Sequence, residues 1–146
     1  MFRLDPRLEQ DTFPVTSFSL CQVLLMNDAR YRWLILVPAR DGLSELHDLA
    51  ASDQALLNSE IIRVSRMMKQ LFTPEKINVG ALGNILRQLH VHVVARRLDD
   101  SAWPGPVLGP RRGDPLCAGT AGRHAGPARR RIGDDLLEAD ILEQID

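Results

Sequence analysis

The segment from Arg87 to Arg97 constrains the fold most, because Leu89, Val91 and Val93 alternate there with Gln88, His90 and His92. Side chains on a strand point to opposite faces with period two, so the spacing predicts a strand whose apolar set enters a core while three polar side chains share the other face. Neighbours on such a polar rail stand roughly 7 Å apart, two strand rises, and one phosphate-sized ligand can touch adjacent members. The rest of the chain supplies a sheet for this strand. Ser17 to Asn27 is apolar on both faces and reads as a well-covered strand. The polar turn after it leads into Trp33-Leu-Ile-Leu-Val37, stopped by Pro38, so the pair predicts a hairpin. Beyond the Asp41-Gly42 turn, Ser52 reads as the N-cap of a helix with Leu57, Ile61, Val64, Met68 and Leu71 on one face, running to about Phe72. Pro74 ends it, and Lys76 to Gly80 has the character of a further strand.

A chain of 146 residues is one domain, and 45% hydrophobic with 25% charged residues is the balance of a globular protein with a foldable core. Its longest apolar run, Trp33 to Val37, is far short of the roughly 20 residues of a membrane helix. The start Met1-Phe-Arg-Leu-Asp-Pro6 lacks the apolar segment of a signal peptide, so the expected location is the cytoplasm, with no membrane partner. Cys21 and Cys117 form no disulfide framework; both are expected as reduced thiols, and Cys21 as core. Basic and acidic residues nearly balance, 18 against 19, and only Lys69 and Lys76 among the basic ones are lysines, a composition that gives no reason to expect nucleic-acid binding. After Trp103 the character changes: residues 104–133 hold seven of the ten glycines, five of the nine prolines and six arginines. The expected organisation is a domain over 1–107, an Arg/Gly/Pro-rich loop or tail over 108–133, and a short acidic amphipathic helix over 134–146.

A His-x-His pair on a strand is by itself more often structural than catalytic. Two alternate histidines could share a zinc ion, but a third protein ligand is then required and no Cys or His lies nearby in sequence. The Gly-rich phosphate loop, the dinucleotide fingerprint and the Gly-x-Ser-x-Gly elbow are all missing, which removes the usual ATPase, dehydrogenase and serine-hydrolase readings. The glycine turn Gly80-Ala-Leu-Gly83-Asn84 just before the rail could present backbone N–H groups and the Asn84 amide to an anion.

Taken together, Asn78-Val-Gly-Ala-Leu-Gly-Asn84, Gln88-Leu-His-Val-His-Val-Val94 and Trp103-Pro104 resemble the histidine-triad (HIT) superfamily of nucleotide hydrolases and transferases. The resemblance covers about Phe18 to Val107. The family signature is His-φ-His-φ-His-φ-φ with φ apolar, and Gln88 stands here where the first histidine would, a variant similar to a bacterial subgroup described as diadenosine-tetraphosphate-hydrolase-like. The resemblance implies an α+β fold: an antiparallel sheet of about five strands with one long helix and a C-terminal helix, doubled into a homodimer. It implies that His90 attacks the α-phosphorus of a purine nucleotide conjugate, that His92 helps hold the phosphate and handle protons, and that Gln88 takes the remaining motif position. It further implies that Asn84 and Asn78 contact the phosphate, that Asn27 or Asp28 binds the ribose, that Trp103 belongs to the binding site, and that Leu20 or Leu25 lines the purine slot. No cofactor and no metal are implied. An ordinary imidazole, with a pKa near 6.5, is a competent nucleophile at pH 7 without a separate base, and protonated His92 would meet the phosphate charge. The rival expectation is a nucleotide-binding regulatory or interaction module with little turnover.

Overall fold

Five strands pair into one antiparallel sheet in the computed structural model of the chain, which describes residues 1–108. In chain order the elements are α1 (Pro6–Asp11), β1 (Thr12–Ser17), β2 (Cys21–Met26), β3 (Arg32–Pro38), a single 3₁₀ turn (Leu46–Asp48), α2 (Ala51–Phe72), β4 (Lys76–Gly80) and β5 (Val91–Arg96). The strand order is β1-β2-β3-β5-β4, with every neighbouring pair antiparallel. This is the α+β sheet-and-helix architecture the motif implied. The tail from 109 onwards, the expected acidic helix at 134–146 and Cys117 lie outside the described residues. No described helix is long and apolar enough to cross a membrane.

Three local expectations are corrected. The strand read from Ser17 to Asn27 is only its second half, β2, while Thr12–Ser17 forms a separate edge strand that the sequence hid. Pro14 lies inside β1, and the register slips between Pro14 and Thr16. A proline is tolerated in a sheet only where no ladder N–H is needed, which is an edge or a bulge, and β1 is both. Helix α2 begins one residue ahead of Ser52, with Ala50 in the cap position and no side-chain cap; Leu49, buried in the core, fixes the entry instead. Finally, β5 starts at Val91 and not at Arg87. Its pairing with β3 stops at Leu36↔Val91, Pro38 has no N–H to carry the ladder on, and the amide of Leu89 bonds to Leu43 O instead.

The sheet buries both faces. Against α2 lie Val23, Leu25, Leu34, Leu36, Val91 and Val93, meeting Leu57, Val64 and Met68 of the helix. This stripe is the one the four-and-three spacing predicted, and it encloses one charge: Glu60, 5% exposed. Its two carboxylate oxygens accept the amides of Leu20 (2.8 Å) and Cys21 (2.9 Å), so two backbone donors at the entry to β2, outside any ladder, are satisfied from the helix. Burial, and after it the hydrogen bond to Glu60, push the Cys21 thiol far above the ordinary thiol range, which makes it an inert core residue. On the opposite face Leu24, Ile35 and Val37 are covered by Leu8 of α1 together with Phe2, Leu4 and Leu86. The histidines belong to this second face.

Candidate active site

Pairing places His92 opposite Ile35 of β3 and Gly80 of β4, and Ile35 in turn opposite Leu24 of β2 and Leu24 opposite Pro14 of β1. One row therefore crosses all five strands on the face away from α2. His90 lies just ahead of β5, yet its ring meets that of His92 edge-on, with centroids 4.8 Å apart and planes at 82°. Both residues are largely enclosed, at 8% and 7% exposure.

Hydrogen bonds fix the tautomer of each ring. His90 Nδ1 lies 2.6 Å from Gln88 O, and because a carbonyl only accepts, Nδ1 carries the hydrogen and the lone pair of the neutral ring is on Nε2. His92 Nδ1 accepts from Trp33 Nε1 at 3.0 Å, so the neutral His92 ring carries its hydrogen on Nε2. Burial, with the neighbouring His90 adding to it, pulls the pKa of His92 down to about 4. The expectation of a protonated His92 at neutral pH is thereby corrected: the ring is a neutral hydrogen-bond donor. The unfolded chain takes up a proton near pH 6.5 that the folded one refuses until about pH 4, so this residue's contribution to stability is full above 6.5 and is lost as pH falls towards 4. In an NMR titration the ring carbons of His92 should stay flat from pH 8 to 5 and move only near 4; a midpoint close to 6.5 would show an open, solvated ring.

Trp33 was missed as a site residue because it sits in an apolar run. The signal was present: an indole N–H in a covered strand needs an acceptor, and Trp33, paired with Val94, stands diagonally across from His92.

Of two cavities, only the first touches one of the paired histidines; the second lies over β1 and β2, two strands from His92. The first, of about 240 Å³, opens beside His90 and is lined by Ser44, Glu45, His47, Leu82 and Gly83. The other, about 410 Å³, is lined by Phe2, Leu4, Thr12, Pro14, Gln22 and Leu24. Leu20 and Leu25, the expected slot residues, are instead 1% and 2% exposed in the core under α2, on the wrong side of the sheet; Leu24 is the leucine of β2 that faces a cavity.

The remaining expected residues scatter around this centre. Asn84 is exposed, following Gly83, whose φ of 77° turns the loop. Asn78 Oδ1 accepts from Arg96 Nη1 at 2.8 Å. Asp28, 3% exposed, is held by Arg30 through two side-chain bonds of 2.9 and 2.7 Å, and Asn27 lies beside it at the end of β2. Trp103 lies under the Arg96 guanidinium, 5.7 Å from the ring centroid. The Gln88 amide bonds to the backbone of Arg3 and Asp5. Among the described residues no group of three His, Cys, Asp or Glu side chains is placed to hold a metal ion.

Residues 7–99 match the sequence model of the HIT domain. The chain belongs to the HIT domain family. Solved structures agree. A histidine triad protein from Sinorhizobium meliloti is 45% identical, with a TM-score of 0.85 over 94% of this chain and 96% of that one. Another from Bradyrhizobium japonicum is 39% identical, with the same TM-score of 0.85 and the same coverages of 94% and 96%. A third, from Marinobacter aquaeolei, is 37% identical with a TM-score of 0.83 over 100% and 99%. No curated protein sequence matches the chain. HIT domain proteins are generally nucleotide-binding hydrolases or transferases, and both histidines lie within the matched residues.

Proposed function

We propose that this HIT protein is a nucleotide hydrolase or nucleotidyl transferase acting at the α-phosphate of a purine nucleotide conjugate, a phosphoramidate or a dinucleoside polyphosphate. The observation that carries the reading is the bond from His90 Nδ1 to Gln88 O, which leaves the Nε2 lone pair for attack. Nε2 forms a bond to the α-phosphorus while the bond from phosphorus to the leaving group breaks and its electron pair departs with that group. Water then attacks the nucleotidyl-histidine, the phosphorus–nitrogen bond breaks, and the nucleoside monophosphate is released with His90 restored. The Nε2–H of His92 donates to a phosphate oxygen, and the turn at Gly83 and Asn84 offers further donors.

The 410 Å³ cavity at Leu24 suits the purine. Leu24 lies two strands from His92, about 10 Å at the usual strand spacing, within the reach of a nucleotide whose α-phosphate sits at His90. Asn27 or Asp28, side by side at the end of β2, serves the ribose. Trp103, in the turn after β5 and beneath the guanidinium of Arg96 at the end of that strand, bounds the far end of the face.

The test is incubation of the purified protein with an adenosine phosphoramidate and with diadenosine tetraphosphate. AMP release is expected together with protein that keeps the α-phosphate label through an alkaline denaturing quench, because the phosphorus–nitrogen bond of a nucleotidyl-histidine survives base; tight binding without AMP would support the regulatory module instead.

A homodimer belongs to the same proposal. Among the described residues strand β4 ends the sheet with its outer edge unpaired, and Val79 on it is 49% exposed. Such an edge invites pairing with a second copy. Light scattering after size exclusion should give twice the chain mass at micromolar concentration, and a monomer there would sink the dimer.

A further inference from the structure

Gln88 takes the place of the motif's first histidine, and its side chain is bonded to the start of the chain. Nε2 donates to Arg3 O and Oε1 accepts from Asp5 N, both at 2.9 Å. A primary amide holds a donor and an acceptor side by side, pointing the same way, so it grips alternate backbone groups as a neighbouring strand would. The two nitrogens of an imidazole point apart and cannot make this pair of parallel bonds. The main chain of the same residue serves the nucleophile, since Gln88 O takes the hydrogen of His90 Nδ1. The segment so gripped is functional in its placement: Phe2 and Leu4 pack on the cluster of Leu24, Ile35 and Val37, and with Arg3 they line the larger cavity.

We propose that Gln88 is a positioning residue that clamps residues 2–5 as a wall of the nucleotide cavity and thereby ties that wall to the backbone orienting His90. The kinetic half of this inference rests on the nucleotide reading; the clamp does not. Asp5→Pro removes the N–H that Gln88 accepts and suits the local backbone, φ −62° and ψ 134°. Asp5→Ala is its reference, because it keeps that N–H and loses only the carboxylate that caps Arg7 N at 2.9 Å. Gln88→Ala against wild type, and Asp5→Pro against Asp5→Ala, should each raise KM about five- to tenfold, the usual worth of a lost hydrogen bond, with kcat within about twofold. The double variant Gln88→Ala/Asp5→Pro should be no worse than the poorer single one, since both cut the same clamp. In hydrogen exchange on the full chain, Gln88→Ala should speed the Asp5 amide at least about tenfold while amides of β3 and β5 keep their protection.

Additive losses, or a fall in kcat with KM unchanged, would overturn the proposal and put Gln88 on the reacting phosphate. An unchanged Asp5 amide would overturn the clamp itself. If wild-type protein releases no AMP, the proposed function fails, and the exchange comparison still decides whether the clamp exists.

Discussion

His90→Ala is expected to lower turnover of a dinucleoside polyphosphate by at least about four orders of magnitude and to abolish covalent labelling of the protein, because removing a covalent nucleophile removes the pathway itself. The geometry singles out His90 over its neighbour. His90 keeps Nε2 unprotonated because its Nδ1–H is taken by Gln88 O, whereas His92 offers its own Nδ1 to Trp33 and is left with an Nε2–H that can only donate. His92→Ala should accordingly cost less, within the roughly 10²–10⁴-fold range of groups that assist charge or proton movement. Nucleotide binding should survive both changes, since the cavity assigned to the base is lined by Phe2, Leu4 and Leu24. A rapid alkaline denaturing quench with an α-phosphate-labelled substrate, which preserves the phosphorus–nitrogen bond, reads both variants. Label retained on His90→Ala, or turnover close to wild type, would move the nucleophile elsewhere.

Arg96→Leu should destabilise the fold by about 3–5 kcal/mol, the usual cost of breaking a buried ion pair from one side. The side chains of Arg96 and Asp100 are 2% and 6% exposed. The guanidinium bonds twice to Asp100, at 2.7 and 2.9 Å, and once each to Asn78 Oδ1 and Gly105 O, so its loss leaves the buried Asp100 carboxylate without its counter-charge, held only by the amides of Arg97 and Ala102, and takes a donor from an amide oxygen and a carbonyl. Trp103 would also lose the cation above its ring. Denaturant unfolding should show the loss as a lower midpoint, and adding Asp100→Leu should recover part of it by removing the stranded charge. The hydrogen bonds from Arg96 hold the Asp100 carboxyl below the ordinary carboxylate range. Its contribution is therefore present at neutral pH and lost only as pH falls through that lowered value, and the variant should show a shallower acid limb. A midpoint unchanged in Arg96→Leu would mean that water reaches the cluster.

Periodicity made the helix face and the strand faces readable: Leu57, Val64 and Met68 are buried where the spacing put them, and Val91 and Val93 meet them across the sheet. The family's motif carried the histidines to one place. What stayed hidden depends on partners distant in sequence. Strand β1 was masked by Pro14, whose meaning depends on whether its strand lies at an edge. Glu60 interrupts an apolar stripe, and nothing local says that its carboxylate caps residues 20 and 21, some 40 positions earlier. Asn78 and Gln88 are polar residues in the right segment, but an amide carries no mark of its partner; one supports Arg96 and the other grips the backbone of residues 3 and 5. The exchange of Leu25 for Leu24 as the cavity residue is a one-position error of face, which in a strand inverts inside and outside.

The two rims of the sheet are chemically unlike. At one rim Pro14 removes a donor and the register slip beside it bends the strand, so β1 is a poor template for another chain; at the other, Lys76–Gly80 runs without a break. Among the described residues the sheet is thus polar in its capacity to grow, open at a single end. Two copies joined at their β4 rims would expose only the proline-bearing rims, and the ladder would terminate at ten strands with no site left for a third copy. A protein built this way has its own stop against fibre formation, and Pro14→Val, by restoring the missing donor, would be the substitution that puts that stop at risk.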